Sequence, residues 1–115
     1  MPRGRLRLGD VFIAQLDPTV GGEIRKTRPV VIVSNDTINT YAQVVVIAPV
    51  TSNVRRASPS HLIIPAGTGG LATDSSILTD QVRAIDRRRL VQRLGRLPTN
   101  VRDRVKAALR ATFDL

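Results

Sequence analysis

Residues 21–33 read GGEIRKTRPVVIV, and the plan of the chain can be built outward from this stretch. A glycine pair is followed by one carboxylate and several cations, and then by an apolar, β-branched run from Val30 to Val33 that predicts a buried strand. Arg28 lies just before the N-terminal end of that predicted strand. A guanidinium on a strand end, next to a glycine-hinged loop, is suited to gripping phosphate. The stretch therefore predicts a β-rich fold with an anion-handling loop.

Short apolar runs of the same kind occur along most of the chain. The predicted strands are residues 11–16, 29–33, 44–50, 62–64, 76–78 and 81–85. Asp17-Pro18 and residues 67–70 predict turns, while Ser34 to Asp36 supply capping side chains for a short helical turn that ends at Tyr41. Strands this short and this closely spaced favour a small barrel or a strongly bent sheet over βαβ units. The predicted fold class is mainly β.

The last part of the chain has helical periodicity instead. Its apolar positions are Val101, Val105, Ala108, Leu109 and Thr112, and Thr99 or Asn100 is the predicted N-cap. The opposite face carries Arg102, Arg104, Lys106 and Arg110. We interpret that face first as a solvated surface and second as a nucleic-acid surface. One amphipathic helix is thus expected to close a single domain, residues 1–115.

Length and composition narrow the class of protein. The chain has 115 residues, of which 42% are hydrophobic, and no apolar run is long enough to cross a bilayer. The N-terminus has charges without a following apolar region, so no signal peptide is predicted. Cysteine is absent, which excludes disulfides and thiolate sites. These features predict a cytoplasmic globular protein without a membrane segment.

The charge balance points to a polyanionic partner. Net charge is +9, and all the cations except Lys26 and Lys106 are arginines, which bind phosphate in a bidentate manner. Nucleic acid is the leading interpretation, and an ordinary solvated basic surface is the alternative. Aromatic residues make up only 3% of the chain, which argues against base stacking on an aromatic platform. Binding is therefore expected to use phosphate contacts and hydrogen bonds.

Several chemistries are disfavoured by residue type. His61 is the only histidine, so one chain cannot build a two-histidine acid–base pair or a histidine-based metal site. Asp74, Asp80 and Asp86 form no recognised metal-binding loop. The sequence has no phosphate-binding P-loop motif, and no helix is predicted after residues 67–70 as a dinucleotide-binding motif would require. No metal and no cofactor are predicted.

The residues that remain suit the cleavage of RNA. In RNA, the 2′-hydroxyl beside the scissile phosphate is a built-in nucleophile, so a protein need only align it, neutralise charge and move protons. Arg28 can grip two phosphoryl oxygens, Thr51 can donate a hydrogen bond, and Glu23 can accept the 2′-hydroxyl proton. The alternative is that Arg28 is an ordinary surface residue and Thr51 a turn former.

Several short stretches, in order, resemble one known family. They are residues 9–11, 17–18, 22–23, 27–36, 47–51, 59–62 and 74–86. Their motifs include TRPVVIVSND at residues 27–36 and IAPVT at residues 47–51. Together they are similar to the MazF/PemK family, the ribonuclease toxins of bacterial toxin–antitoxin pairs. The resemblance runs from Gly9 into the final helix.

This resemblance implies a fold, an activity and site residues. Members of the family form a small SH3-like β-barrel with short helices, assemble as homodimers and cut single-stranded RNA, often mRNA, at short sequences. They need no metal and leave 2′,3′-cyclic phosphate and 5′-hydroxyl ends. The family's catalytic arginine corresponds to Arg28, its catalytic threonine to Thr51 and its loop glutamate to Glu23. Gln81 is the candidate for base recognition, and Asp80 stands where the family commonly has glutamate.

The partners and the remaining RNA contacts follow from the same resemblance and from charge. Residues predicted to bind RNA are Arg25, Lys26, Ser52, Arg55, Arg56, Gln81 and Arg83. Residues 24–26 depart from the family's usual loop, so the usual sequence preference of cleavage is open. An acidic, MazE-like antitoxin is the expected protein partner. The alternatives are a non-enzymatic toxin of related fold that poisons DNA gyrase and a plain RNA-binding module.

Overall fold

The computed structural model describes residues 5–16, 26–54 and 58–115, and of Lys26 the backbone only. Most of the secondary structure in these residues is β. The strands are β1 Asp10–Leu16, β2 Lys26–Ile32, β3 Val44–Thr51, β4 His61–Ile64, β5 Ser75–Leu78, β6 Arg83–Asp86 and β7 Leu90–Arg96. The α-helices are α1 Asp36–Tyr41 and α2 Thr99–Phe113, and single 3₁₀ turns occupy Thr68–Gly70, Thr79–Gln81 and Arg87–Arg89.

The seven strands form one antiparallel sheet in the order β4-β5-β3-β2-β1-β7, with β6 also paired to β3. Strand β3 is the hub: β2 pairs along one of its edges, while β6 and then β5 share the other. Within the described residues the outer strands β4 and β7 do not pair with each other, so the sheet bends without closing. The predicted mainly β fold is confirmed, as an open, barrel-like sheet.

The predicted strands match six of the seven observed, and β7 was missed. Its sequence, LVQRLGR, mixes arginine, glutamine and glycine with only three apolar residues, so it lacks a clear period of two. Strand β7 pairs with β1 through two register shifts, which interrupt the alternation further. The strand predicted at residues 81–85 begins later, since Thr79–Gln81 form a 3₁₀ turn. The turn predicted at residues 67–70 is found, as another 3₁₀ turn.

Both faces of the sheet carry apolar clusters. One cluster joins the strands to α2 and contains Val31, Ala48, Ile77, Val101 and Val105. The other contains Phe12, Val30, Ile32, Ile47 and Leu90. Neighbouring strand residues alternate between the two clusters because successive side chains project to opposite faces. Both faces of β2 and β3 are therefore fixed, which sets their register.

The two α-helices begin differently. As predicted, Asn35 caps α1, and its side-chain oxygen accepts a hydrogen bond from the Ile38 N–H at 2.9 Å. For α2 the predicted N-cap, Thr99 or Asn100, was wrong. The N-cap is Pro98, whose side chain makes no capping hydrogen bond. Its carbonyl accepts the N–H groups of Val101 and Arg102, and Thr99 Oγ1 accepts from the Arg102 guanidinium instead.

The predicted buried stripe of α2 is largely confirmed. Val101, Val105 and Ala108 are buried, while Arg104, Lys106 and Arg110 on the other face are exposed. Arg102 departs from the predicted solvated face, because its guanidinium donates to the Leu97 carbonyl at 2.6 Å. No helix in the described part of the chain is long and apolar enough to cross a membrane.

Candidate functional site

The register of the sheet brings Arg28 and Thr51 together. Strands β2 and β3 pair Val30 with Pro49 and Val31 with Ala48. When this antiparallel register is continued by two residues, Arg28 comes opposite Thr51, and directly opposed residues project to the same face. Arg28 is also paired with Ala14 on β1, whose small side chain leaves the guanidinium room. Two residues that lie 23 positions apart in sequence thus meet at one end of the strands.

Arg28 and Thr51 line two clefts. The first, about 430 Å³ in volume, also includes Thr27, Ser52 and Thr73. The second, about 320 Å³, is completed by Asn53, His61, Ser76, Leu78 and Gln81. Since the arginine and threonine belong to both, they stand at the junction of two recesses. An extended chain molecule bound there can place one phosphate at the junction and its neighbouring groups on either side.

The side chains at the junction present hydrogen-bond donors. Arg28 and Thr51 are half-buried. Within the described residues no carboxylate forms an ion pair with Arg28. Thr51 Oγ1 accepts a hydrogen bond from the Asn53 N–H at 3.1 Å, which leaves the hydroxyl proton for another acceptor. A guanidinium and a hydroxyl that line the same two clefts form a suitable receptor for a phosphoryl group.

His61 is a component of the second cleft that sequence reasoning missed. Its Nε2 lies 3.0 Å from Asp80 Oδ1, and the side chain is 23% exposed. A lone histidine is excluded as half of a histidine pair, but the partner of His61 is a carboxylate 19 positions away. An orienting carboxylate fixes the imidazole ring, which can then offer its other nitrogen for hydrogen bonding.

A group of hydroxyls fixes the part of the cleft that carries His61 and Gln81. Thr79 Oγ1 donates to the Ser60 carbonyl at 2.7 Å and lies 3.0 Å from Thr112 Oγ1 on α2. Thr112 Oγ1 also contacts Ser60 Oγ at 3.0 Å. Thr79 is buried, and it directly precedes Asp80 and Gln81. The end of α2 therefore anchors the 3₁₀ turn that presents these two side chains.

Gly70 shapes the opposite wall of the first cleft. It has φ +82°, and a Cβ atom at this position would collide with the Leu94 carbonyl oxygen on β7. Only glycine fits both the backbone angle and this close approach. The contact presses the segment from Gly70 to Thr73 against β7, beside Arg28 and Thr51.

The structure places the other predicted site residues as follows. Ser52 lies in the first cleft and Gln81 in the second. Arg83 is exposed on β6, is paired with Ile47 and lines neither of these two clefts, and its contact with RNA stays a prediction. Outside the described residues lie Glu23, Arg25, Arg55 and Arg56, and of Lys26 only the backbone is described.

The described groups whose pKa values are clearly shifted do not line either cleft. Hydrogen bonds from the guanidinium and then from the backbone N–H of Arg88 hold the pKa of the Asp86 carboxyl well below its usual range, and the side-chain contact raises the pKa of Arg88. Burial lowers the pKa of Arg96, helped by the nearby charges of Arg102 and Arg7. Over residues 5–16, 26–54 and 58–115, no three histidine or carboxylate side chains group closely enough to hold a metal ion.

Known proteins resemble this chain over nearly its whole length. The model of the PemK-like, MazF-like toxins of type II toxin–antitoxin systems matches residues 7–113. Endoribonuclease EndoA of Bacillus subtilis is 35% identical over 111 residues, which cover 96% of each chain.

Solved structures agree with the sequence relatives. The toxin MazF-mt6 of Mycobacterium tuberculosis has 27% identity and a TM-score of 0.78, over 92% of this chain and 97% of that one. A MazE–MazF complex from Deinococcus radiodurans has a TM-score of 0.82 at 24% identity, over 98% and 99% of the two chains. The fold is therefore that of MazF. With the family model and the 35% identical relative, this shows that the chain belongs to the PemK/MazF family of type II toxin–antitoxin toxins.

Proposed function

We propose that this toxin is an endoribonuclease that cuts single-stranded RNA, mRNA included, at short sequences and without a metal ion. The observation that carries the proposal is the meeting of Arg28 and Thr51 at the junction of two clefts. The net charge of +9 supports a polyanionic substrate. The relative from Bacillus subtilis is itself an endoribonuclease.

The proposed reaction is an attack by the RNA on itself. The 2′-oxygen forms a bond to the adjacent phosphorus, the bond from phosphorus to the 5′-oxygen breaks, and the products are a 2′,3′-cyclic phosphate and a 5′-hydroxyl. Arg28 neutralises the charge that develops on the phosphoryl oxygens, and Thr51 donates a hydrogen bond to one of them. Arginine stays protonated at neutral pH, so we assign the 2′-hydroxyl proton to Glu23. The 5′-oxygen takes its proton from water.

The first test is incubation of the purified protein with single-stranded RNA, with and without EDTA. We expect cleavage at the same rate in both, and ends that carry 2′,3′-cyclic phosphate and 5′-hydroxyl groups. Chemical mapping of the ends measures this result. RNA that stays intact would contradict the proposal, and intact RNA together with inhibited DNA supercoiling would favour a gyrase poison. Cleavage that stops in EDTA would contradict the metal-independent mechanism alone.

A second prediction concerns the proton acceptor. If Glu23 is the base, Glu23→Gln keeps the size of the side chain but removes its proton affinity, so we expect cleavage to fall about 100-fold. The measurement is the pH dependence of kcat/KM, whose acidic limb should disappear in the variant. A variant with near-normal cleavage and an unchanged pH profile would assign the proton to another acceptor.

We also propose a MazE-like acidic antitoxin as the partner, a homodimer as the assembly and the cytoplasm as the location. The structural neighbours include a MazE–MazF complex. An acidic segment that mimics the phosphate chain fits a cleft whose described charged groups include Arg28. Such a segment should protect the RNA from cleavage, and failure to protect it would argue against occupation of this cleft.

A further inference from the structure

Ser76 has a buried hydroxyl for which the described residues supply no hydrogen-bond partner. The residue is 1% exposed, and its Oγ makes no hydrogen bond with any described group. A buried hydroxyl without a partner lowers folding stability, so such groups are uncommon. Its neighbour Ser75 is ordinary by comparison, because its Oγ donates to the Thr73 carbonyl at 2.9 Å. The unused hydrogen-bonding capacity of Ser76 therefore needs an explanation outside folding.

The position of Ser76 suggests one. Strand β5 pairs with β3 so that Ser76 lies directly opposite Thr51. Thr51 in turn comes opposite Arg28 when the β2–β3 register is continued. Directly opposed residues share a face of the sheet, so Arg28, Thr51 and Ser76 form a row across three adjacent strands. All three line the second cleft.

We propose that Ser76 is a third donor to the scissile phosphate, its Oγ–H bonding to a nonbridging oxygen beside Thr51 and Arg28. This inference rests on the proposed function. The charge on the nonbridging oxygens grows in the transition state, so a hydroxyl donor that lines this cleft would act mainly there. The phosphate then supplies the acceptor that the described residues do not provide.

No described hydrogen bond has to break for the Ser76 hydroxyl to turn. Less than 1 Å² of Oγ is accessible, so contact with the phosphate requires a turn about the Cα–Cβ bond or a shift of a covering side chain. Serine has three staggered positions, and among the described residues no hydrogen bond holds the present one. When an RNA phosphate enters the cleft, the Ser76 hydroxyl can therefore turn toward it without losing a described hydrogen bond.

The test is Ser76→Ala with phosphorothioate RNA. The wild-type cleavage sites are first mapped on single-stranded RNA, and a short oligonucleotide across one site is made with sulfur replacing each nonbridging oxygen in turn. We expect Ser76→Ala to lower kcat/KM about 100-fold on the all-oxygen substrate. Sulfur is a weak acceptor, so one thio isomer should slow the wild type. That effect should shrink toward onefold in Ser76→Ala, while the effect of the other isomer stays.

Stability separates this role from a structural one. Ser76→Ala removes no described bond, so its urea midpoint should equal or exceed the wild-type midpoint, whereas Ser75→Ala should lower it. Ser76→Cys, with a weak donor in a similar volume, should cleave at an intermediate rate. The inference would be overturned if Ser76→Ala cleaved at the wild-type rate, or if the effects of both thio isomers were unchanged in this variant. It would also be overturned if the loss of activity were accompanied by a lower urea midpoint of unfolding. Wild-type protein that leaves RNA intact would instead overturn the proposed function, and this inference with it.

Discussion

Replacement of Arg28 by alanine is expected to abolish cleavage while leaving much of the RNA binding. Arg28 stands at the junction of both clefts, and no carboxylate of the described residues neutralises it. In a half-buried cleft a bidentate guanidinium stabilises the transition state by about 4 kcal/mol, so kcat/KM should fall about 1,000-fold. The dissociation constant for RNA should rise only several-fold, since one phosphate contact is lost among several. Single-turnover cleavage and filter binding measure the two effects.

Two matched variants show whether geometry or charge carries the effect of Arg28. Arg28→Lys keeps the charge but loses the planar fork, so we expect it to recover only part of the rate. Arg88→Ala removes the same charge from an exposed turn, where Arg88 pairs with Asp86. Its cleavage should match the wild type. Turnover retained in Arg28→Ala would remove this residue from the site, and equal losses in Arg28→Ala and Arg88→Ala would reduce its role to net charge.

The strands that form the site could be predicted because their signals are local. The β-branched run after Pro29 and the apolar run that ends at Thr51 are buried on both faces. A strand that is buried on both faces has a nearly continuous apolar sequence, which can be recognised without knowledge of its pairing partners. Strand β7 lacked that signal, because it is held by long-range pairing with β1 and by the glycine contacts of residues 69–70 with β7. The cap of α2 was missed for a related reason: the Thr99 hydroxyl bonds Arg102 rather than a backbone N–H.

The residues of the candidate site could likewise be predicted only where local sequence signals mark them. Arg28 and Thr51 could be named because they stand at the ends of strongly predicted strands and because of the resemblance to a family. His61 and Ser76 could not be placed, since they join the cleft only through the pairing of β5 with β3 and β4. Both residues lie in stretches that resemble the family, residues 59–62 and 74–86, but the resemblance assigns neither of them a role. The contact of His61 with Asp80 and the pairing of Ser76 with Thr51 become visible only in the structure.

Asp10 holds together the end of the sheet where β1 meets β7. Its side chain is fully buried, and its two carboxylate oxygens accept hydrogen bonds from the Arg93 guanidinium, each at 3.0 Å. Asp10 also accepts the Arg7 N–H at 2.9 Å and lies 3.6 Å from Arg96 Nε. Arg93 extends the network by stacking over the Phe12 ring at 5.8 Å. The charge of one carboxylate is thus shared by two guanidinium groups at the end of the sheet where β1 meets β7.

Replacement of Asp10 by asparagine is therefore expected to cost about 3 kcal/mol of unfolding free energy, because it leaves Arg93 and Arg96 crowded around a neutral group. Asparagine keeps the shape of the side chain, so the loss reports the charge and its hydrogen bonds rather than a cavity. Urea unfolding followed by circular dichroism measures it, and thermal unfolding should shift by roughly 10 °C. The matched control is Asp36→Asn, which removes an exposed ion pair with Arg5 at 3.6 Å and should cost less than about 0.5 kcal/mol. If the two variants proved equally stable, Asp10 would not organise the β1–β7 end, and the stability of the sheet would have to come from its apolar clusters alone.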